Sequence, residues 1–206
     1  MWRPCGGEAM ERYDGDAGIH AARGFAEAHD PDLHHALQVT RNSLALFDWT
    51  LDLHGFGDQE RRLLCAAALM HDTGYETRPE QHHKGSRDLI AASRLDGFAP
   101  EELMMTACIA RYHRKAEPKT AHKVFCDLDA AAQAVVERLA AILRVADGLD
   151  RSHVASAEAL RVMRRGATLR LYVKQRQRNE FDVYGAMRKR ALFERVFGVH
   201  LKVIAE

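Results

Sequence analysis

The pattern of apolar and polar residues changes near residue 152 of the chain. Before this point, apolar residues recur every three or four positions, which is the period of an α-helix. After it, Thr168–Lys174 alternates polar and apolar residues with a period of two, which predicts a half-buried β-strand. We therefore predict a mainly α-helical protein with a small C-terminal α+β extension.

Proline and glycine positions set the expected limits of the helices. Asp30-Pro31 supplies an N-cap followed by proline at the first helical position, and Gly55 ends the helix that follows. The predicted helices run near Ala17–Ala28, from Pro31 to Gly55, up to His71-Asp72, near His82–Leu95, from Pro100 to about His113, and over Ala130–Arg151.

The last fifty residues are expected to form a small α+β tail. Leu160–Val162 is predicted to pair with the strand at Thr168–Lys174 across a turn at Arg165-Gly166. Phe181–Phe197 then reads as one amphipathic helix, and His200–Ala205 as a final strand. The predicted organisation is a poorly ordered leader over residues 1–15, a helical domain over 16–152 and an α+β tail over 153–206.

Composition places the chain among ordinary globular proteins and argues against a membrane partner. The 206 residues are 47% hydrophobic and 29% charged, and no apolar stretch approaches the roughly 20 residues that span a bilayer. The N-terminus lacks a basic and then apolar signal pattern, so we expect a cytoplasmic protein. The four cysteines have no short pairwise spacing and are expected to be reduced thiols.

Positive charge is concentrated in one stretch, although the net charge of the chain is only +1. Residues 161–190 contain ten Lys and Arg residues against two acidic ones. The stretch is either a solvated face of the tail or a surface that binds a polyanion. Only Tyr172, Phe181 and Tyr184 interleave it with aromatic rings, so nucleic acid ranks as a partner below a small phosphorylated substrate.

The most apolar helical run ends in a histidine and an aspartate. Leu63–Met70 is apolar on nearly every side, so this helix must be buried, and His71 and Asp72 follow it directly. A buried carboxylate requires a positive partner, and the negative end of the helix dipole increases that need. A divalent metal ion is the best candidate for the partner.

Further donors are available on other predicted helices. His35 lies near the start of one helix and Asp147 lies within another, so these two residues could complete a ligand set with His71 and Asp72. Two imidazoles and two carboxylates suit Mn, Fe, Co, Ni or Zn and, less well, Mg. Four ligands on an octahedral ion leave positions for water and substrate.

Cationic side chains accompany these donors. Arg144, Asp147 and Arg151 are at positions i, i+3 and i+7 of one predicted helix and therefore share a face. The two arginines could clamp phosphate oxygens, or they could form ion pairs within the helix. Lys84 and Arg114 are further candidates for contact with a phosphorylated substrate.

Six short stretches occur in a characteristic order along the chain. They are His35–Val39, Ala66–Tyr75, His82–Ser86, Ile109–Lys115, Leu143–Arg151 and Leu192–Gly198. In this order they resemble the HD-domain phosphohydrolase superfamily. The resemblance is closer to the C-terminal HD region of the exopolyphosphatase/guanosine pentaphosphate phosphohydrolase (Ppx/GppA) family, and it covers roughly residues 17–205. Gly85 departs from the family pattern, in which a histidine is expected.

The resemblance implies an HD-domain helical bundle and a set of metal ligands. Carried over residue by residue, the superfamily's ligands are His35, His71, Asp72 and Asp147. In binuclear members two additional histidines hold a second ion, and the matching residues are His82 and His113. His34 and His83 are the alternatives to their neighbours His35 and His82.

The expected function is that of a metal-dependent phosphohydrolase, with one divalent ion or two. Asp72 is the expected catalytic carboxylate, which bridges the ions or orients water, and Lys84, Arg114, Arg144 and Arg151 are the expected substrate-binding residues. The substrates implied are nucleotides, alarmone-like phosphates or other small phosphoesters. The alternative is a non-catalytic metal- or phosphate-binding regulatory module, since these residues contain no match to the family's actin-like domain. A homodimer is compatible with either function.

Overall fold

A computed structural model describes residues 2–5 and 8–206 of the chain. The helices are α1 (Glu8–Glu11), α2 (Ala17–His29), α3 (Leu33–Trp49), α4 (Leu51–His54), α5 (Asp58–Met70), α6 (His82–Ala92), α7 (Pro100–Arg111), α8 (Lys123–Cys126), α9 (Ala130–Gly148), α10 (Glu180–Lys189) and α11 (Ala191–Phe197). A 3₁₀ turn over Pro79–Gln81 precedes α6. Among these helices, none combines the length and the apolar character needed to cross a membrane.

A four-stranded sheet combines three strands from the C-terminal part of the chain with one short strand from its start. The strands are β1 (Arg3–Pro4), β2 (Ala157–Arg165), β3 (Thr168–Gln175) and β4 (His200–Ala205), and their order in the sheet is β1-β2-β3-β4. β2 and β3 form an antiparallel hairpin across Gly166, whose φ of 59° suits glycine, while β4 is parallel to β3. The prediction of a mainly α-helical fold with a small α+β extension is confirmed.

Helix α5 lies at the centre of the helical part. Every residue from Leu63 to Met70 is at most 1% exposed, and α5 packs against α2, α3, α7 and α9. The helix is buried because it is apolar on all sides over its last two turns. Its C-terminal end therefore delivers residues 71 and 72 to the interior of the protein.

Two predicted helices are each divided in the structure. The prediction of one helix over Phe181–Phe197 is wrong, since α10 ends at Lys189 and α11 begins at Ala191. The Arg190 guanidinium donates to the Met187 carbonyl, which is one of the carbonyls left free where α10 ends. The helix predicted to reach Gly55 is likewise interrupted at Thr50, whose hydroxyl donates to the carbonyl of Leu46.

Part of the predicted leader contributes to the fold. Arg3–Pro4 pairs with β2, and the side chain of Cys5 is buried in the main core. The Tyr13 ring is also buried, and its hydroxyl accepts a hydrogen bond from Arg61. The described residues of 1–15 are therefore held against both the sheet and the helices, where the sequence predicts a poorly ordered segment.

Candidate metal centre

Six histidine and aspartate residues converge from the ends of different helices. His35 is in the first turn of α3, and His71 and Asp72 follow α5. His82 begins α6, His113 follows α7, and Asp147 is near the end of α9. All except Asp72 are at most 8% exposed, and Asp72 is itself mostly buried.

The six side chains form two groups, each with two imidazoles and one carboxylate. The first group is His35, His71 and Asp147, and the second group is Asp72, His82 and His113. Within each group one donor atom of every residue lies within 4.8 Å of the others. The structure thus brings all six predicted ligands together and groups Asp72 with His82 and His113.

Asp72 lies between the two groups. Its Oδ1 is 3.2 Å from Nε2 of His82 and 3.5 Å from Nε2 of His113. Its Oδ2 is 3.6 Å from Nε2 of His71, which belongs to the first group. One carboxylate thus faces imidazoles of both groups, as a bridging ligand does.

Three of the histidines are oriented by the same local device. Nδ1 of His71 donates to the carbonyl of Ala68, Nδ1 of His82 to that of Pro79, and Nδ1 of His113 to that of Ala110, at 2.7–2.9 Å. Each acceptor is three residues earlier, at a helix end where carbonyls lack an intrahelical partner. Since a carbonyl only accepts, Nδ1 donates to it, which leaves Nε2 as the ring atom available to ligate a metal ion.

His35 is oriented by a residue distant in sequence. Its Nδ1 is 2.8 Å from Oδ2 of Asp150, a fully buried carboxylate that also accepts from the backbone N–H of Ala155. The His153 ring stacks on His35 with a centroid separation of 3.8 Å. Asp150 and His153 were not predicted as site residues, although Asp150 lies in a stretch that carries the resemblance.

Two buried polar atoms at the centre suit a bound cation. Nε2 of His71 and Oδ1 of Asp72 have no hydrogen-bond partner among the residues that the structure describes. Leaving such atoms unpaired in the interior is costly, whereas both are good ligands for a divalent ion of the Mn to Zn series. The two groups could therefore hold metal ions.

Both carboxylates of the centre have pKa values below the usual range and are ionised at neutral pH. Burial opposes ionisation of Asp72, but the imidazoles of His71, His113 and His82 outweigh it and lower its pKa to about 2. Burial also opposes ionisation of Asp147, yet Lys189 and His35 hold its pKa well below the usual value. The centre thus concentrates negative charge where cations are attracted.

A cavity of about 870 Å³ opens onto the centre. Donors from both groups line it, namely His35, Asp72, His82, His113 and Asp147. Its walls also carry the cationic residues Arg114, Lys115, Arg144, Arg151, Arg188 and Lys189. A cavity with carboxylates and imidazoles at its base and cations on its walls suits an anionic ligand such as a phosphoester.

Three of the four predicted substrate-binding residues line this cavity. Arg114 contacts Nε2 of His82 at 2.9 Å, and Arg151 lies over the ring of Phe181 at 5.3 Å. Lys84 is not among the lining residues of the described chain, and its Nζ instead donates to Gln81. A substrate contact by Lys84 therefore has no support from the cavity.

The guanidinium of Arg144 binds backbone carbonyls of another segment rather than a carboxylate of its own helix. Its guanidinium donates to the carbonyl of Tyr112 at 2.7 Å and to that of Lys115 at 3.2 Å. These bonds tie α9 to the segment that follows α7 and carries His113. Arg144 thus lines the cavity, but two of its guanidinium nitrogens donate to backbone carbonyls and none donates to Asp147.

Lys189 is a site residue that the sequence analysis missed. Its Nζ contacts Oδ2 of Asp147, so an ammonium group already lies beside the carboxylate of the first group. Lys189 ends α10, in the stretch that the sequence assigned to a separate tail. The sequence indicated only that residues 161–190 are rich in lysine and arginine, and this composition does not identify which of them faces the centre.

Gly85 is explained by a close approach of two backbones. A Cβ on Gly85 would lie 3.0 Å from the carbonyl oxygen of Gly74, and a Cβ on Gly74 would lie 2.2 Å from the amide nitrogen of Ser86. The loop after α5 thus packs directly onto α6, and a larger side chain such as histidine at position 85 would separate them. The departure from the family pattern has a packing reason.

The alternative histidines belong to neither group. His34 is exposed. His83 is buried, and its burial together with Arg114 and Arg111 lowers its pKa to about 4. The structure brings His35 and His82 to the centre rather than these neighbours.

Fold and centre together define a helical protein with a buried His/Asp centre beneath a basic cavity. Residues 19–183 match the family model described as Ppx/GppA phosphatase, domain III, and the chain belongs to that family. The resemblance to the Ppx/GppA family is thereby confirmed. All six residues of the centre lie within the match, whereas Lys189 and β4 lie beyond it.

Proposed function

We propose that this protein is a metal-dependent phosphohydrolase of the HD superfamily. Its substrates would be nucleotides, alarmone-like phosphates or other small phosphoesters. The observation that carries this proposal is the position of Asp72, whose two oxygens face His71 on one side and His82 and His113 on the other. The family membership and the basic cavity support it.

The ligands would be the two groups themselves. His35, His71 and Asp147 would hold one ion, and His82 and His113 a second, with Asp72 shared between them. A divalent ion held there would act as a Lewis acid toward a phosphate oxygen and would lower the pKa of water. Mn, Fe, Co, Ni and Zn fit these nitrogen and oxygen donors best.

The remaining residues would bind and orient the substrate. Arg114, Arg151 and Arg188 line the cavity and would neutralise the phosphate charges. Asp72 stays ionised at neutral pH because its pKa is about 2, so its oxygens can accept hydrogen bonds from an attacking water. Arg144 would act indirectly, by holding the segment that carries His113.

The test is phosphate release from a panel of nucleotides and small phosphoesters after Mn, Co or Ni is added to metal-free protein. We expect turnover in the wild type and a loss of at least about 100-fold in Asp72→Ala, since a shared ligand is removed. Asp88→Ala is the matched control, because Asp88 is 44% exposed and lies outside the cavity lining. Equal turnover in Asp72→Ala and the wild type would refute the proposal.

A second candidate function is a non-catalytic regulatory module that binds a metal ion or a phosphate ligand. The contact between Lys189 and Asp147 favours it, since this ammonium occupies a position beside the first group that a cation would take. This alternative predicts that metal binds without turnover of any substrate in the panel. Metal content measured beside phosphate release separates the two candidates.

A further inference from the structure

The sheet has one covered and one uncovered face. Leu160, Leu171 and Val203 belong to the face that packs into the main core. The alternate positions point the other way and are half-buried or exposed. They include Arg161, Arg165, Arg170, Tyr172, Lys174 and Lys202, which we call the outer face.

The outer face carries positive charge that the protein does not compensate. Arg161 pairs with Glu206, and Lys174 pairs with Glu158. Arg165, Arg170 and Lys202 form no ion pair with any residue in the described part of the chain. Arg170 and Lys202 are direct neighbours in the register of β3 and β4, so their like charges are side by side. Such a pair is destabilising unless an anion is near.

Aromatic and apolar groups are set among these cations. The Arg161 guanidinium lies 4.8 Å from the ring centroid of Trp2 and 4.7 Å from that of Tyr172. Met163, next to Arg170 in the register, is 53% exposed. The outer face therefore mixes flat stacking groups with free cations rather than forming a uniformly hydrated charged surface.

We propose that the outer face binds single-stranded nucleic acid. Its cations match a chain of phosphates, and its stacking groups match bases that are not paired. A small phosphate would satisfy the cations but would make no use of the aromatic and apolar groups set among them. A duplex keeps its bases stacked inside and could not use them either.

This surface is separate from the proposed active site. No residue of β2, β3 or β4 lines the cavity above the centre, as far as the chain is described. Binding at the outer face therefore requires neither a metal ion nor turnover. The inference can fail while the phosphohydrolase proposal stands, and the reverse is also true.

The test measures fluorescence anisotropy of a labelled 12-nucleotide oligouridylate with the metal-free full chain. We expect binding at 50 mM salt that weakens markedly at 200 mM. In the combined variant Arg165→Ala, Arg170→Ala and Lys202→Ala, affinity should fall at least about tenfold. The slope of log affinity against log salt should become shallower by about 2, because three phosphate contacts are removed at about 0.7 each.

A control of equal charge removes three cations outside the sheet. Arg23→Ala, Arg78→Ala and Lys123→Ala together should leave the affinity within about twofold of the wild type, since Arg23 and Arg78 already pair with Glu27 and Asp88. Equal affinity in the two triple variants, or no binding at 50 mM salt, would overturn the proposal. Thermal unfolding of each variant verifies that the fold is retained.

The aromatic groups separate nucleic acid from other polyanions. Tyr172→Ala should weaken oligouridylate binding at least about fivefold, since stacking on one base is lost, while Tyr172→Phe should preserve it. If inorganic polyphosphate of equal length competes as well as the oligonucleotide and Tyr172→Ala has no effect, the surface binds polyanions in general and the proposal is wrong.

Discussion

The two donor groups have the same composition but are held in place differently. In the second group, His82 and His113 bond to carbonyls three residues earlier, so their orientation is set by the end of the preceding 3₁₀ turn and by the end of α7, respectively. In the first group, His35 bonds to Asp150, which is 115 residues away in sequence. Local hydrogen bonds therefore orient both histidines of the second group, whereas in the first group they orient only His71, and the packing of α3 against the end of α9 orients His35.

The two groups also differ in their electrostatic surroundings. His35 interacts with two carboxylates, whose effect outweighs burial and raises its pKa to about 10. Burial lowers the pKa of His113 well below its usual value, and the nearby carboxylates of Asp72 and Asp147 do not compensate. Without a metal ion, the first group therefore holds a proton and the Lys189 ammonium, whereas the second group holds neutral imidazoles. A metal ion must displace a proton and the Lys189 ammonium from the first group, whereas in the second group it must displace only the Arg114 guanidinium that contacts Nε2 of His82.

The largest expected effect is the selective loss of one ion. His113→Ala removes a donor of the second group only, and His35→Ala removes a donor of the first group only. We expect each variant to retain one ion where the wild type binds two. Metal content after dialysis against a limiting chelator measures this stoichiometry directly.

Two comparisons make that result interpretable. His200→Ala, which removes an exposed histidine of β4, should keep both ions. Asp72→Ala should weaken both groups, because its carboxylate faces imidazoles of each. A single ion in the wild type that disappears equally in His35→Ala and His113→Ala would contradict the division into two groups.

An effect of intermediate size on metal affinity is expected when the hydrogen bond between His35 and the distant Asp150 is weakened. Asp150→Asn keeps the shape of the side chain but removes the charge that orients His35 and favours positive charge there. Affinity at the first group should fall about 10- to 100-fold, as is usual for partners behind a ligand, while the second group keeps its affinity. The affinities of the two groups are measured separately by introducing Asp150→Asn into His113→Ala, which keeps the first group, and into His35→Ala, which keeps the second. Each protein is titrated with metal against a competing chelator.

Asp52→Asn is the control for this substitution, since Asp52 is 65% exposed and lies on α4. It should change neither affinity. An equal loss at both groups in Asp150→Asn would indicate that Asp150 supports the fold in general rather than His35 in particular.

The same contrast explains how much the sequence could predict. His71 and Asp72 were predicted from the residues alone, because a helix apolar on all sides must be buried and its polar end must be compensated. His82 and His113 were predicted as ligands only from the family resemblance, although both follow the ends of helical turns. A histidine three residues after a free carbonyl at a helix end is a local pattern, and it recurs at His71, His82 and His113.

Residues whose role depends on long-range packing could not be predicted. Lys189 reaches Asp147 because α9 and α10 approach closely at Gly148 and Gly185, where a Cβ would lie within 2.6 Å of the opposite backbone. Asp150 reaches His35 through the packing of α3 against the end of α9. The two partners are separated by 42 residues in the first pair and by 115 in the second. The division of the predicted helix at Arg190 was missed for a similar reason, since the amphipathic pattern continues across it.

The smallest expected effect is a difference in proton release when metal binds. His35 has a pKa of about 10 in the metal-free protein, so at pH 7 an ion entering the first group must displace its proton. The affinity of the first group should therefore rise by about tenfold per pH unit from pH 7 to 8 and level off only as the pH approaches 10. His82 and His113 have lowered pKa values and Asp72 is ionised, so the second group should show no such rise.

Calorimetric titration in buffers of different ionisation enthalpy measures the protons that are released when metal binds. His113→Ala, which keeps the first group, should release about one proton, and His35→Ala, which keeps the second group, should release none. Equal release from both variants would mean that the surroundings of His35 and His113 do not differ in the way that Asp150 and Asp147 imply.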